Sequence, residues 1–139
     1  MSRADEEKYY DTLPPENRFF FIEKKDGSKV GTIWHYQESK LLEIGYVLVP
    51  SEKGKGYCSE AAKIMVDYLF LSRDIVRVQA HTDVRNVASQ RVLEKTGFRK
   101  EGVVRKSSFV RGEWRDAYLY STLREERKEP KILTRASKK

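Results

Sequence analysis

The sequence predicts a mixed α/β domain in which a mostly antiparallel central sheet is flanked by helices. Three observations predict it. Short β-branched and aromatic runs alternate with turn residues over the first third of the chain. Two segments of helical spacing then follow, each succeeded by a strand-like run. No repeat and no linker divides the chain, whose 139 residues are 39% hydrophobic, 12% aromatic and 35% charged. That length suits one domain, able to bury about two-thirds of its unfolded surface.

In chain order, residues 1–17 are a polar extension in which Pro14 and Pro15 stop any helix begun over 5–13. Residues 18–23 read as a strand, Asp26-Gly27 as a hairpin turn and 30–36 as the return strand. A break at 37–40 leads to a third strand, 41–49, ended by Pro50. These three form an antiparallel meander. Residues 51–57 are a loop rich in glycine and lysine. Residues 58–72 have helical spacing, with Ala61, Ala62, Met65, Tyr68 and Leu69 on one face and Glu60, Lys63 and Asp67 off it. Residues 76–82 alternate as a strand. Residues 86–96 read as a second helix, capped by Asn86 and stopped by Gly97. Strand-like segments at 98–104, 107–111 and 113–123 close the domain, with Arg111-Gly112-Glu113 as a hairpin turn. The order is β-β-β-α-β-α-β-β over 18–124, followed by a basic tail, 125–139.

The formal net charge is +7, from 28 basic and 21 acidic residues. Lys128, Lys131, Arg135, Lys138 and Lys139 fall in the last dozen residues, offset there by Glu129 alone. A basic surface attracts a phosphorylated cofactor, an acidic protein or nucleic acid. Nucleic acid is the weakest of the three, because no recognition motif is present and basic residues are interspersed with acidic ones. A single cysteine, Cys58, excludes an internal disulfide framework and a cysteine-rich zinc site. With only His35 and His81 besides, no metal is expected. Both histidines weigh more as structural residues than as catalytic ones. No run approaches ~18 apolar residues, and the opening MSRADEEKYY lacks the apolar stretch of a secretory signal. A soluble cytoplasmic protein without a membrane partner is the expectation.

The most informative stretch is Tyr46-Val-Leu-Val-Pro50 followed by Ser51-Glu-Lys-Gly-Lys-Gly-Tyr-Cys-Ser-Glu60. A strand ends, a loop with Gly54 and Gly56 follows, and a helix begins at once. Glycines let the backbone approach a ligand, and the free N–H groups at a helix start favour a phosphate. Lys53 and Lys55 add positive charge. The loop is neither the phosphate loop of nucleotide triphosphatases nor a complete G-x-G-x-x-G fingerprint.

Lys53-Gly-Lys-Gly-Tyr57 resembles the [RQ]-x-x-G-x-[GA] acetyl-CoA loop of the GNAT superfamily of N-acetyltransferases, with Ser51 where the Arg or Gln is expected. Glu43-Ile-Gly-Tyr-Val-Leu-Val49 resembles the strand before that loop. Asn86-Val-Ala-Ser89 and Val92-Leu-Glu-Lys-Thr-Gly-Phe98 resemble the second helix and its turn. Glu101-Gly-Val, Gly112 and Asp116-Ala-Tyr-Leu-Tyr120 resemble the closing strands of the RimJ/RimL-like branch, named for enzymes that acetylate the N-termini of ribosomal proteins. The resemblance covers 18–124. It implies a GNAT-like acyl-CoA N-acyltransferase fold, here without the usual first strand and helix.

It also implies a site. Backbone groups of Val47, Leu48 and Val49 would pair with the pantetheine of acetyl-CoA. The amides of Gly54, Lys55, Gly56, Tyr57 and Cys58 would hold the pyrophosphate, with Lys53 beside them, and Asn86 would reach the pantetheine arm. Amide formation from a thioester needs a neutral amine and a proton for the departing thiolate. Glu43 is the candidate base, acting through water. Many GNAT enzymes carry a tyrosine in the second helix as the acid, but Leu93 stands at that position, and Ser89, one turn earlier, is the substitute. Cys58 raises the idea of an acyl-cysteine, since a helix start would lower its pKa, yet no histidine partner accompanies it. Trp34, Tyr36, Phe109 and Trp114 are candidates for the acceptor pocket.

The function implied is direct transfer of acetyl from acetyl-CoA to a primary amine in a ternary complex. A protein N-terminal amine stands ahead of a small amine such as a polyamine. A CoA-binding protein without catalysis is the alternative from another class, and a homodimer is compatible with either.

Overall fold

The computed structural model describes residues 18–38 and 41–127. The polar extension 1–17 lies outside them, and with it the expectation of a missing first strand and helix, as do residues 128–139 of the tail. Strands β1 (Arg18–Glu23), β2 (Lys29–Glu38) and β3 (Leu41–Leu48) form the expected meander. A 3-10 turn, Pro50–Glu52, leads to α1 (Tyr57–Ser72), β4 (Arg77–Asp83), α2 (Val87–Lys95), β5 (Arg99–Val110) and β6 (Glu113–Leu123), with a last 3-10 turn at Arg124–Glu126. One six-stranded sheet runs in the order β1-β2-β3-β4-β6-β5.

Every neighbouring pair is antiparallel except β3 and β4. The exception follows from α1, a helical crossover that brings the chain back to run β4 in the direction of β3. Their register is a single pair, Glu43 opposite Gln79. Beyond it β3 continues to Leu48 against β2, while β4 continues to Asp83 against β6. The two parallel strands therefore part toward their C-terminal ends, which is where ligands gather in open α/β sheets.

The core joins Ile22, Ile33, Leu42, Ile44, Val78 and Ala80 of the sheet to Ala62, Val66 and Leu69 of α1 and Leu93 of α2. The buried stripe of α1 is Cys58, Ala62, Met65, Val66, Leu69 and Phe70. Tyr68, expected on that stripe, is 47% exposed. It turns toward the outer flank of the helix, where it lines an open groove with Ile64, Phe20 and Phe21. The stripe centres on Ala62, Val66 and Leu69, which have no exposure, and Val66 was not among the residues expected on it. The segments expected at 98–104 and 107–111 are one strand, β5. Its register against β6 shifts between Val104 and Ser108, and Lys106 takes φ 49 within the bulge. The Lys106 N–H there bonds Asp116 Oδ1 at 2.8 Å. The expected turn is present, with Arg111 and Gly112 both at positive φ, the pairing that suits the twist of a two-residue hairpin.

Past β6 the chain stays on the body. Arg127 donates to the Thr96 carbonyl at 2.9 Å and pairs with Asp67 at 3.3 Å.

Candidate active site

The loop after β3 builds one wall of a cleft of about 390 Å³, and α2 builds the other. Gly54 and Gly56 adopt φ +82 and +84, in the left-handed region, and a Cβ on either would meet nothing within 4 Å. Gly56 precedes α1 without any side-chain cap, so the first amides of the helix have no capping side chain. Lys53 lines the cleft, joined by Arg91 and Lys95 from α2. Residues 91 and 95 are four apart and so share a helix face.

Asn86 caps α2 by accepting from the Ser89 N–H at 3.0 Å, and both residues line the cleft. Tyr46, on β3, donates its hydroxyl to the Ser89 carbonyl at 3.1 Å and lies 2.9 Å from Ser89 Oγ. Burial pushes the Tyr46 phenol up to about 12, outweighing the Ser89 hydrogen bond that pulls it down. The phenol therefore keeps its proton through the neutral range. Leu93 has no exposure and belongs to the core, so the position expected to hold a proton donor is turned away from the cleft here.

Glu43 is on the other face of the sheet. Its Oε1 accepts from Gln79 Nε2 at 2.8 Å and lies 2.7 Å from His81 Nδ1. Tyr36 stands opposite Glu43 on β2, and Trp34 opposite Gly45. A Cβ at Gly45 would come within 2.4 Å of the Trp34 ring, so glycine lets the indole lie against β3. Phe109 and Trp114 instead pair with each other beside the β5–β6 turn, ring centroids 5.4 Å apart and both more than half exposed.

Of the residues expected to hold the cofactor, Val47, Leu48, Lys53, Gly54, Gly56, Cys58 and Asn86 line the one cleft, together with Ser89. Lys55 turns to Glu52 at 3.2 Å, and Tyr57 lines the groove on the outer flank of α1. Val49 follows β3 and bonds its N–H to Val30. Tyr46, Arg91 and Lys95 were not anticipated. The basic i, i+4 pair on the polar face of the second helix was the available signal for the last two. The expected lowering of the Cys58 pKa is reversed. Burial pushes the thiol up to about 11 against the opposing pull of Lys53, which leaves a poor nucleophile at neutral pH.

A splayed parallel pair, a glycine-cradled helix start and a cleft with basic walls together suit a phosphorylated ligand. Residues 1–99 match the family described as acetyltransferase (GNAT) domain. The chain is 34% identical over 122 residues to probable N-acetyltransferase YjcK of Bacillus subtilis (strain 168), covering 84% of this chain and 67% of that one. It thus belongs to the GNAT acetyltransferase family, whose members use acetyl-CoA as cosubstrate. The chain spans between about half and two-thirds of the length of the curated relatives it matches, from 49% to 67%. Among solved structures, a ribosomal-protein-S5-alanine acetyltransferase from Vibrio fischeri aligns with TM-score 0.74 at 25% identity, over 90% of this chain and 68% of that one. A spermidine N-acetyltransferase from Vibrio cholerae in complex with CoA and spermine aligns with TM-score 0.78 at 21% identity, over 91% and 78%. No described helix is long and apolar enough to cross a membrane.

Proposed function

We propose that residues 18–124 form an acetyltransferase domain that passes acetyl from acetyl-CoA directly to a protein N-terminal amine, in the manner of the RimJ/RimL-like branch. The observation that carries the reading is the parting of β3 from β4 beside the glycine cradle. It leaves the end of β3 without a strand partner on that side, where the backbone from Val47 to Val49 would run beside pantetheine, although the Val49 N–H is already given to Val30. The amides of Gly54 to Cys58, with Lys53, Arg91 and Lys95, suit the pyrophosphate and nearby phosphate. Asn86 still has its amide N–H group for the pantetheine arm. Bound there, acetyl-CoA supplies an activated acyl group.

The chain's own residues then divide the proton work between the two faces of the sheet. Glu43, on the open face, is the base that relieves the acceptor ammonium of its proton. Ser89 on the helix face, with Tyr46 bonded to it, is the acid for the thiolate, a role that Leu93 cannot fill. The protonated Cys58 thiol favours direct attack over an acyl-cysteine.

The acceptor assignment rests on charge. A net charge of +7 suits acidic proteins and repels polyamines. The same reading places the protein in the cytoplasm, with a homodimer as an open arrangement. An acetylation assay with an N-terminal peptide of an acidic protein and with spermidine tests it. Faster turnover of the peptide is expected. Faster turnover of spermidine would move the assignment to the polyamine acceptor carried by the Vibrio cholerae enzyme, with which the shared feature is the fold.

A further inference from the structure

Glu43 and His81 meet where β3 and β4 part, 38 residues apart in sequence. A carboxylate can only accept hydrogen bonds, so the ring nitrogen that faces it, Nδ1, carries the hydrogen. In a neutral imidazole the other nitrogen, Nε2, is then left with a bare lone pair. The carboxylate oxygen is already committed twice, to Gln79 and to His81. It is also the more sheltered group, 16% exposed against 32% for the His81 side chain. A molecule reaching the wedge from the open face meets the imidazole before the carboxylate.

We propose that His81 is a catalytic residue of the reaction inferred above, its Nε2 taking the proton from the acceptor ammonium while Glu43 acts through it as a positioning residue. The inference rests on the acetyltransferase reading and changes who touches the substrate. The ammonium gives one proton to Nε2, and the neutral amine nitrogen forms the C–N bond to the acetyl carbon as the C–S bond breaks. The second proton leaves the nitrogen for the thiolate, giving amide and free thiol, and the imidazolium returns its proton to water. No oxidant or further reactant is needed. The charged groups around the ring are few. Glu43 faces it from β3. Asp83, two residues along β4, is neutralised by Arg115 of β6 at 3.3 Å. Arg77 pairs with Glu101 of β5 farther down the same face. Leu119 is the β6 residue opposite the ring.

Two measurements on the full chain test the proposal. Long-range nitrogen-15 correlation of the histidine rings at pH 8 reads the tautomer directly. With only His35 and His81 present, a His81→Gln variant assigns the signals. Hydrogen on Nδ1 of His81 is expected, with a shift toward the other tautomer in Glu43→Gln. Hydrogen on Nε2 in the intact protein would overturn the proposal whatever the acceptor. The second measurement is the pH profile of acetylation of spermidine and of the acidic-protein peptide. His81→Gln is expected to lower kcat roughly 100-fold at pH 7, the low end of general-base effects, with acetyl-CoA affinity unchanged by calorimetry. The deficit should shrink toward pH 10, where the amine sheds its proton to water unaided. A deficit constant with pH marks a structural role and overturns the proposal alone. Failure of the intact chain to bind acetyl-CoA, or to acetylate either acceptor, overturns the acetyltransferase reading and the proposal with it.

Discussion

On the helix side of the gap between β3 and β4, the groups that would face the proposed cosubstrate are mostly backbone: the amides from Gly54 to Cys58 and the edge of β3 turned away from β2. On the open side they are side chains, Glu43, Gln79 and His81, each contributed by a different point of two strands. A backbone cradle depends on conformation and tolerates many neighbours. A side-chain cluster depends on identity, and one changed atom alters its chemistry. The two sides should therefore fail differently, the first in affinity and the second in turnover.

The largest effect is expected on the cradle. Gly56→Glu forces a side chain into the left-handed region at φ +84 and sets a carboxylate where the pyrophosphate belongs. The strain costs about 1–2 kcal/mol of stability, while repulsion between the carboxylate and the pyrophosphate should lower acetyl-CoA affinity by more than about 100-fold. Because a Cβ there meets no neighbour, the fold should survive, as circular dichroism would check. Calorimetry that finds affinity intact would remove the loop from the cofactor site. Gly54→Glu provides an independent repeat two residues away.

Glu43→Gln attacks the opposite side. The amide keeps an oxygen for Gln79 but loses the charge that holds the His81 ring. A fall in kcat of roughly 10- to 100-fold with unchanged acetyl-CoA affinity is expected. A loss of affinity equal to the loss of rate would erase the division between the two sides.

The same contrast explains what was legible in the sequence. The meander, both helices and the glycine loop are local patterns, and the structure keeps them with boundary shifts of a residue or two. The cradle could be read because Gly54, Gly56 and the start of α1 are consecutive. His81 could not, because its partner is 38 residues away, and the alternation of β4 says only which face it takes. Tyr46 was hidden for the same reason, since Ser89 lies 43 residues on. Lys55 looked like a second phosphate ligand by proximity, yet Glu52 one turn back claims it. Long-range pairing and local competition are the two things a motif does not encode.

Tyr46→Phe tests the helix side for chemistry as well as binding. Losing the hydroxyl that bonds Ser89 should lower kcat by about 10-fold, the share of a weak proton relay. It should also change alkaline stability. The folded protein holds the phenol proton more tightly than the unfolded chain, whose value is 10.0, so this contribution is complete below pH 10 and is lost as pH rises toward about 12. The full loss is about 2 kcal/mol once residual exposure is discounted. Denaturation midpoints at pH 9 to 11 should fall less steeply in the variant than in the parent. Some decline should persist, because Cys58, raised to about 11, titrates in the same window.

The smallest effect separates two lysines that the sequence makes look alike. Lys53 lines the cleft and Lys55 bridges to Glu52 with its side chain half exposed. An exposed ion pair of that kind is worth at most about 1 kcal/mol, and breaking it frees Glu52, which keeps Lys24 as a second partner at 3.7 Å. Lys55→Ala should therefore change acetyl-CoA affinity by less than about twofold. Lys53→Ala removes a cation from the wall of the phosphate cradle and should weaken binding by roughly 3- to 10-fold at low salt, with the difference narrowing as salt screens it. Titrations of both variants at two ionic strengths distinguish a charge that faces the ligand from one spent on the loop's own shape. Equal losses for the two would mean that Lys55 leaves Glu52 when the cosubstrate binds.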